Sequence, residues 1–278
     1  MKSLFQGEFE FSHSDLKDYE ACPYRFALNF QCKRAGARPR ARNSRKYLEG
    51  WCVHKCLEIW NKEGKWQPGW MLEALMDVQY TRFGNAKFLS MGQDPAQANL
   101  PGVVLKEFLR KNNVIWRGNE TEETVLESIK NGLRQLEYWV ELLEMNHVRM
   151  ESERFFTIRI PHLRILAKGS IDLIDHRYPD IYDMKYSNSD YKDWKQLLWY
   201  DFILTGLLHR KVRRVYTFNP LNTEPLEYQE NSEEDLAEFA EDLNKTIATI
   251  RAGEFEPTPK RAECLICCVA SKCEFKKF

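Results

Sequence analysis

The sequence predicts an α/β fold in which short β-strands alternate with amphipathic helices. Two apolar runs flank a turn-prone centre in Leu163–Tyr186 and predict a β-hairpin. Alternating polarity at 150–160 and 212–220 predicts two further strands. Apolar stripes with helical spacing at 121–145 and 232–250 predict helices that can cover a sheet.

The composition is that of an ordinary folded protein. The 278 residues are 43% hydrophobic, which suffices for a sizeable core in one large domain with an insertion, or in two small domains. The 41 basic and 41 acidic side chains balance, so net charge neither indicates nor excludes a nucleic-acid partner. We expect a cytoplasmic protein, or one in the host cytoplasm if the gene belongs to a phage, because the sequence offers neither a signal peptide nor a membrane span.

The N-terminal region is predicted to be helical. Residues 12–30 form a helix capped by Ser12 or Ser14 and interrupted near Pro23, which can begin the next helical turn. The segment 33–46 then carries seven basic side chains and no acidic one. Such a run is typical of a solvated loop, but on a protein that acts on nucleic acid it is an arm that contacts phosphates. The DNA-contacting candidates in this arm are Arg38, Arg40 and Arg42.

Residues 44–63 are predicted to form a helix with a broad apolar face. Gly50 and His54 share one face of this helix, one turn apart. Glycine in a helix costs roughly 1 kcal/mol, which suggests that another group approaches closely at Gly50. A lone histidine on a helix is more often structural than a ligand. Residues 64–145 are interpreted as a helical insertion or lid, whose clearest helix is 121–145.

The hairpin carries the most unusual chemistry of the chain. Asp183 and Lys185 are two residues apart on a strand, so their side chains leave the same face, and Asp172 on the preceding strand can meet them. A carboxylate pair that holds a hard divalent cation, with a lysine beside the water, is an arrangement for cleaving phosphodiesters. Glu151 or Glu153, at the start of the strand 150–160, can join this site, although a solvated strand end is the simpler interpretation for at least one of them.

A mostly apolar helix is predicted at 194–209, directly after the hairpin. Gln196 and Tyr200 share one face of it, and polar groups on a buried helix need partners. The carboxylates and lysine of the hairpin are natural partners, and satisfaction within the core is the alternative. The last long helix, 232–250, begins with residues that resemble a capping box.

Cysteines are concentrated in the tail. Cys264, Cys267 and Cys273 form a Cys-x2-Cys-x5-Cys pattern that indicates metal ligation. A fourth ligand can be the adjacent Cys268 or the distant Cys22, and we favour Cys22 because it would tie the two chain ends together. The spacing itself leaves zinc, an iron–sulfur cluster and an unligated tail open.

These motifs, taken in order, resemble the RecB-like branch of the PD-(D/E)xK nuclease superfamily. The similarity is greatest to its iron–sulfur members, the AddB-type nuclease domains and the CRISPR-associated RecB-like exonucleases. The matching motifs are Cys22–Phe26, Gly50–His54, Gly169–Asp172, Asp183–Tyr186, Gln196–Tyr200 and the three tail cysteines Cys264, Cys267 and Cys273. They frame nearly the whole chain, whereas residues 64–145 match no motif.

The resemblance implies a restriction-endonuclease-like core, a mixed central β-sheet flanked by helices, with a helical insertion. The implied regions are N-terminal helices at 1–63, an insertion at 64–145, the nuclease core at 146–256 and a cysteine tail at 257–278. The implied ligands of a Mg²⁺ or Mn²⁺ ion are His54, Asp172, Asp183 and the backbone carbonyl of Met184. The implied ligands of a structural 4Fe–4S cluster are Cys22, Cys264, Cys267 and Cys273.

The implied activity is a metal-dependent DNA exonuclease that works in recombination, repair or CRISPR-related processing. Lys185 would orient or deprotonate the attacking water, while Gln196 and Tyr200 hold the lysine, the phosphate or the DNA strand. The expected substrate is DNA that is single-stranded or has free ends, contacted by the basic arm and by Tyr186. Recombination or CRISPR proteins are the expected partners, and no membrane is involved.

Two alternatives remain open at this point. One is a non-catalytic nucleic-acid-binding scaffold on a decayed nuclease fold, against which the intact Asp172, Asp183 and Lys185 argue. The other is a structure-specific or site-specific endonuclease with the same chemistry. No GxxxxGK[ST] phosphate loop occurs, so a helicase activity is not expected of this chain.

Overall fold

The computed structural model describes residues 5–35, 49–50, 53–54, 56–58, 60–61, 64, 121–142, 149–186, 193–207, 209–219, 226–267 and 269–276. In chain order the elements are β1 (Phe9–Ser12), α1 (His13–Ala21), α2 (Pro23–Arg34), α3 (Glu122–Leu142), β2 (Met150–Ile160), β3 (Ile165–Asp175), β4 (Asp180–Met184), α4 (Trp194–Phe202), β5 (Val215–Phe218), β6 (Leu226–Gln229), α5 (Glu233–Ala252) and α6 (Arg261–Ile266). The described residues between 49 and 61 are also helical and are called the His54 segment below.

A mixed six-stranded sheet flanked by helices is formed by these residues, which confirms the predicted fold class. Strand β3 lies at its centre, parallel to β1 and antiparallel to both β2 and β4. Strand β4 continues the sheet to β5 in parallel, and β6 closes the far edge in antiparallel pairing with β5. The predicted hairpin is confirmed: β3 and β4 are joined by the turn 176–179, and Asp175 pairs with Asp180.

Helix caps explain where the described helices begin. The Ser12 hydroxyl oxygen accepts a hydrogen bond from the backbone N–H of Asp15, and the backbone N–H of Ser12 donates one to the Asp15 carboxylate, which starts α1. Pro23 occupies the first turn of α2, as predicted for a residue that lacks an amide hydrogen. The same reciprocal cap at Ser232 begins α5. Gly253 ends α5 in a left-handed conformation, with φ 80°, which favours glycine.

One helix end and two short strands differ from the sequence prediction. The helix predicted to reach His209 ends as α4 at Phe202 and continues as a π-helical turn over Ile203–Leu207. The short strands β1 and β6 were not predicted, because four residues give too little alternation to distinguish a strand from an extended loop. The helices predicted within 64–120 lie outside the described residues, so the proposed domain boundaries stay predictions.

Apolar side chains fill both faces of the sheet. Helices α1, α2, α4 and α5 pack on one face around an aromatic cluster that includes Phe5, Phe11, Phe26 and Trp199. The His54 segment and α3 cover the other face, where they meet side chains of β3, β4 and β5. No helix among the described segments is both long enough and apolar enough to cross a lipid bilayer.

Candidate active site

The β3–β4 hairpin places two acids side by side. Leu173 pairs with Tyr182, so the next residues along the ladder, Asp172 and Asp183, lie opposite each other and share a face. Asp172 Oδ2 accepts a hydrogen bond of 2.8 Å from the backbone N–H of Met184. The strand pairing therefore brings both carboxylates together, as the sequence predicted, and the backbone also fixes the orientation of Asp172.

His54 approaches the hairpin from the helical segment that covers the other face of the sheet, away from α4. Its Nε2 lies 3.1 Å from the carbonyl oxygen of Met184. Its Nδ1 lies 3.7 Å from both Asp172 Oδ1 and Glu153 Oε1. Because a carbonyl only accepts, Nε2 carries the hydrogen, and the lone pair of Nδ1 in the neutral ring faces the carboxylates. Burial lowers the pKa of His54, but the Asp172 and Glu153 carboxylates outweigh it, so the net pKa is raised.

Of the two acids on β2 that the sequence left open, Glu153 is the one whose side chain lies beside His54 and Asp172. The side chains of His54, Glu153 and Asp172 offer ligand atoms that all lie within 4.8 Å of one another. Glu153 has φ 50°, and Ser170 Oγ donates a 3.2 Å hydrogen bond to its Oε2. Glu151 is engaged elsewhere, since its carboxylate contacts His176 Nε2 at 2.8 Å.

Lys185 lies at the end of a short chain of hydrogen bonds. Its Nζ is 2.7 Å from Asp183 Oδ2 and donates to Gln196 Oε1 at 2.8 Å. Gln196 Nε2 in turn donates to the hydroxyl of Tyr200 at 2.6 Å. Burial raises the pKa of Tyr200, so its hydroxyl stays neutral at physiological pH. The predicted Gln/Tyr face of the helix after the hairpin therefore meets the lysine directly.

The start of α4 is held by a buried acid that was not singled out in the sequence. Asp193 caps α4 by accepting a hydrogen bond from the Gln196 backbone at 3.3 Å. Lys17 Nζ contacts Asp193 Oδ2 at 2.8 Å, and His13 Nε2 lies 3.4 Å from Oδ1. Burial alone would raise the pKa of Asp193, but hydrogen bonds from His13 and Lys17 hold it well below the usual range. These contacts tie α1 to the helix that presents Gln196.

Electrostatics of the site favour a bound cation. Burial raises the pKa of Asp172 to about 6; among the nearby charges, His54 opposes this rise and Asp183 adds to it. Burial also raises the pKa of Asp183, although the contact with Lys185 opposes the rise. Clustered, partly buried carboxylates with one imidazole are a suitable donor set for a divalent cation such as Mg²⁺ or Mn²⁺. The residues present therefore fit the predicted metal.

Tyr186 has a packing role in this structure. Its ring is only 8% exposed, and its hydroxyl donates to the backbone carbonyl of Ser128 on α3. A Cβ at Gly132 would lie 2.4 Å from the ring, and a Cβ at Gly50 would lie 3.2 Å from Tyr186 Cβ. The close approach expected at Gly50 is thus to Tyr186. This burial does not favour the DNA contact predicted for Tyr186, and the other predicted contacts (Arg38, Arg40 and Arg42) lie outside the described residues.

The two chain ends meet next to the cysteines. Cys267 and Cys273 pack beside Tyr24 against a small apolar cluster that contains Cys32. The Thr258 hydroxyl also donates to the carbonyl of Ala21, next to the half-buried Cys22. Among the described residues, however, the cysteine sulfurs do not form a group with the short mutual distances of a single-ion site. Cys268, the alternative ligand, lies outside the described residues.

Known proteins resemble this chain to different degrees in structure and in sequence. Among solved structures, a protein from Eubacterium rectale described as a candidate exonuclease is 16% identical to this chain, with a TM-score of 0.49. The match covers 97% of this chain and 90% of that one. The protein SSO0001 is 16% identical with a TM-score of 0.33, over 75% of this chain and 98% of that one. The curated proteins give no match. A model of the PD-(D/E)XK nuclease superfamily matches residues 10–276, nearly the whole chain, and the protein therefore belongs to that superfamily.

Proposed function

We propose that this protein is a Mg²⁺- or Mn²⁺-dependent deoxyribonuclease that degrades DNA from free ends. The observation that carries the proposal is the convergence of His54, Glu153 and Asp172 beside the Asp183–Lys185 pair. Superfamily membership supports phosphodiester hydrolysis as the reaction. Recombination, repair and CRISPR-related processing are the pathways in which such an enzyme would work.

The metal would be held by the side chains of one histidine and three acids. The proposed ligands are His54 Nδ1, Glu153, Asp172 and Asp183. The carbonyl oxygen of Met184, which the sequence also suggested as a ligand, lies 3.1 Å from His54 Nε2 on the other side of the ring and is therefore not included. A divalent cation at this position would supply Lewis-acid activation of water and neutralise charge that develops on the phosphate. The neutral tautomer of His54, fixed by its bond to the Met184 carbonyl, keeps the Nδ1 lone pair directed at the carboxylates.

Lys185 would act on the water and the phosphate. An ammonium group has three N–H donors, and the contacts with Asp183 and Gln196 use two of them. These two contacts fix the orientation of Nζ, so that a third donor can reach a water or a phosphate oxygen. A donor held in place before the reaction stabilises developing negative charge without further reorganisation. Tyr200 supports this orientation through Gln196.

Cleavage of end-labelled DNA by matched lysine variants tests the proposal. The substrates are linear and circular DNA, single- and double-stranded, with Mg²⁺ or Mn²⁺. Lys185→Ala is expected to lower kcat by about 100- to 1,000-fold, the usual effect of removing one such donor. Lys195→Ala is the control, because Lys195 lies on α4 next to Gln196 but its ammonium group pairs with Glu20 on the surface.

The outcomes separate the alternatives. Degradation of linear but not circular DNA would support an exonuclease, whereas equal cleavage of circles would show an endonuclease. A Lys185→Ala protein that cuts DNA like the wild type would refute the mechanism. A wild-type protein that binds DNA without cutting it would favour the non-catalytic scaffold.

A structural 4Fe–4S cluster held by the four predicted cysteines is the second part of the proposal. Its support is the presence of four thiols and the packing of the C-terminal segment against α2 near Cys22. A four-iron cluster spaces its cysteine sulfurs more widely than a single ion does. Iron and sulfide analysis of anaerobically purified protein tests it, with Cys267→Ser compared with Cys56→Ser, a buried cysteine of the His54 segment. Zinc without iron in the wild-type protein would rule the cluster out.

A further inference from the structure

The side chain of Phe155 is unusually exposed for its size and lies on β2 close to the proposed metal ligands. It is 73% exposed, whereas its neighbour Phe156 turns inward against Gly169 and the ring of Tyr200. Single exposed aromatic side chains are common on proteins, so exposure alone indicates nothing. The position of Phe155 relative to the acidic group is the informative feature.

The strand register places Phe155 on the same face as the acids. Phe155 pairs with Ser170, so the two side chains share one face of the sheet. Ser170 and Asp172 are two residues apart on β3 and also share that face, about 7 Å from each other along the strand. The hydrogen bond from Ser170 Oγ to Glu153 Oε2 joins this residue to the metal-ligand group.

A positively charged side chain, that of Lys168, also lies on this face of β3. Lys168 lies two residues before Ser170, on the same face and diagonal to Phe155, and it contacts the exposed Glu10. An exposed ion pair of this kind contributes only about 0–1 kcal/mol. Lys168 can therefore exchange Glu10 for a phosphate at little cost. One face thus carries, in order, a cation, an aromatic ring and the group of acids.

We propose that Phe155 is a stacking platform for an unpaired nucleobase of the substrate, next to the nucleotide whose phosphate is cleaved. This inference rests on the proposed nuclease function and specifies its substrate as a strand with unstacked bases. Inside a duplex both faces of a base are covered by neighbouring bases, so only a single strand or a frayed end can offer a face to Phe155. Stacking on aromatic side chains tolerates any base, which suits an enzyme that advances along a strand.

Binding of a fluorescein-labelled single-stranded oligothymidylate in EDTA tests the proposal without cleavage. Phe155→Ala is expected to weaken binding by roughly 5- to 150-fold, the usual range for one stacked base. Phe155→Trp should restore the affinity, whereas Phe155→Leu, which is apolar but lacks a ring, should not. Tyr228→Ala is the control, because Tyr228 is 52% exposed on β6 at the opposite edge of the sheet. The Phe155 variants should melt like the wild type, because this side chain is largely exposed.

A spectroscopic measurement separates stacking from general contact. A 2-aminopurine placed in the oligonucleotide should be quenched on binding to the wild type at one position, and not on binding to Phe155→Ala. Unchanged affinity in Phe155→Ala, or full affinity in Phe155→Leu, would overturn the proposal. Loss of self-association in Phe155→Ala with unchanged DNA affinity would overturn it too, since the ring would then be an interface between copies.

The two proposals fail in different ways. A wild-type protein that binds single strands through Phe155 but does not cut them with Mg²⁺ or Mn²⁺ would refute the nuclease function and keep the stacking site. A protein that cuts DNA with Mg²⁺ or Mn²⁺, and whose affinity for single strands is unchanged by Phe155→Ala, would refute the stacking site and keep the nuclease function.

Discussion

Replacing Gly169 by alanine is expected to disturb the lysine of the site from a distance. Gly169 pairs with Phe156 across β2 and β3, and a Cβ at Gly169 would lie 2.4 Å from Cζ of the Phe156 ring and 2.8 Å from Cε1. The Phe156 ring also packs edge-on against Tyr200, with 6.2 Å between ring centroids. Since Tyr200 holds Gln196 and Gln196 holds Lys185, a shift of this ring reaches the ammonium group.

The magnitude follows from the size of the overlap. Carbon atoms pack best at about 3.5–4.0 Å, so the Phe156 ring must retreat by about 1 Å or more. Overpacking of this kind costs about 1–3 kcal/mol of unfolding free energy. Misplacement of a catalytic group by about 1 Å can lower kcat on the order of 100-fold. The Gly169→Ala protein should therefore remain folded but lose most of its activity.

A double-mutant cycle is the decisive assay. Phe156→Ala removes a half-buried ring and should itself cost roughly 2 kcal/mol, about half the usual value for a fully buried ring. In the double variant the clash is absent, so urea unfolding should show a total cost of about 2 kcal/mol rather than about 4. Gly206→Ala is the control, because a Cβ there meets its nearest neighbour at 4.0 Å. Additive costs in the double variant would refute the reasoning.

Three further predictions concern other contacts of the site. Asp193→Asn should lower the unfolding free energy, measured by urea titration, by about 1–2 kcal/mol at neutral pH. Because the pKa of Asp193 is lowered in the folded protein, its charge stabilises the fold at neutral pH and this stabilisation is lost as the pH falls. The difference between Asp193→Asn and the wild type should therefore shrink below about pH 4. Glu153→Gln should weaken Mn²⁺ binding about tenfold or more by calorimetry, whereas Glu151→Gln should leave it unchanged. Tyr186→Phe should cost about 1–2 kcal/mol in thermal unfolding by removing the bond to Ser128, and a loss of DNA affinity instead would support a direct DNA contact.

Much of the site was predictable because strand periodicity determines which side chains share a face. The two-residue spacing of Asp183 and Lys185, and the hairpin that brings Asp172 opposite, follow from the sequence alone. Helical spacing similarly places Gln196 and Tyr200 together. Asp193 was missed because its partners on α1 are far away in the chain. The spacing of residues within one segment cannot predict a contact between two distant segments.

Backbone conformation, rather than strand alternation, distinguishes Glu153 from Glu151 as the acid that lies beside His54 and Asp172. Alternation places both acids on one face of β2, so periodicity cannot separate them. The structure separates them by backbone conformation: Glu153 has φ 50° and is absent from the ladder between Ser152 and Arg154. A non-glycine residue in this region costs about 1–3 kcal/mol, and the hydrogen bond from Ser170 offsets about 1 kcal/mol of that cost. The unusual backbone conformation turns the carboxylate of Glu153, and not that of Glu151, toward His54 and Asp172, so the strained residue on this strand is the one that completes the group of possible metal ligands.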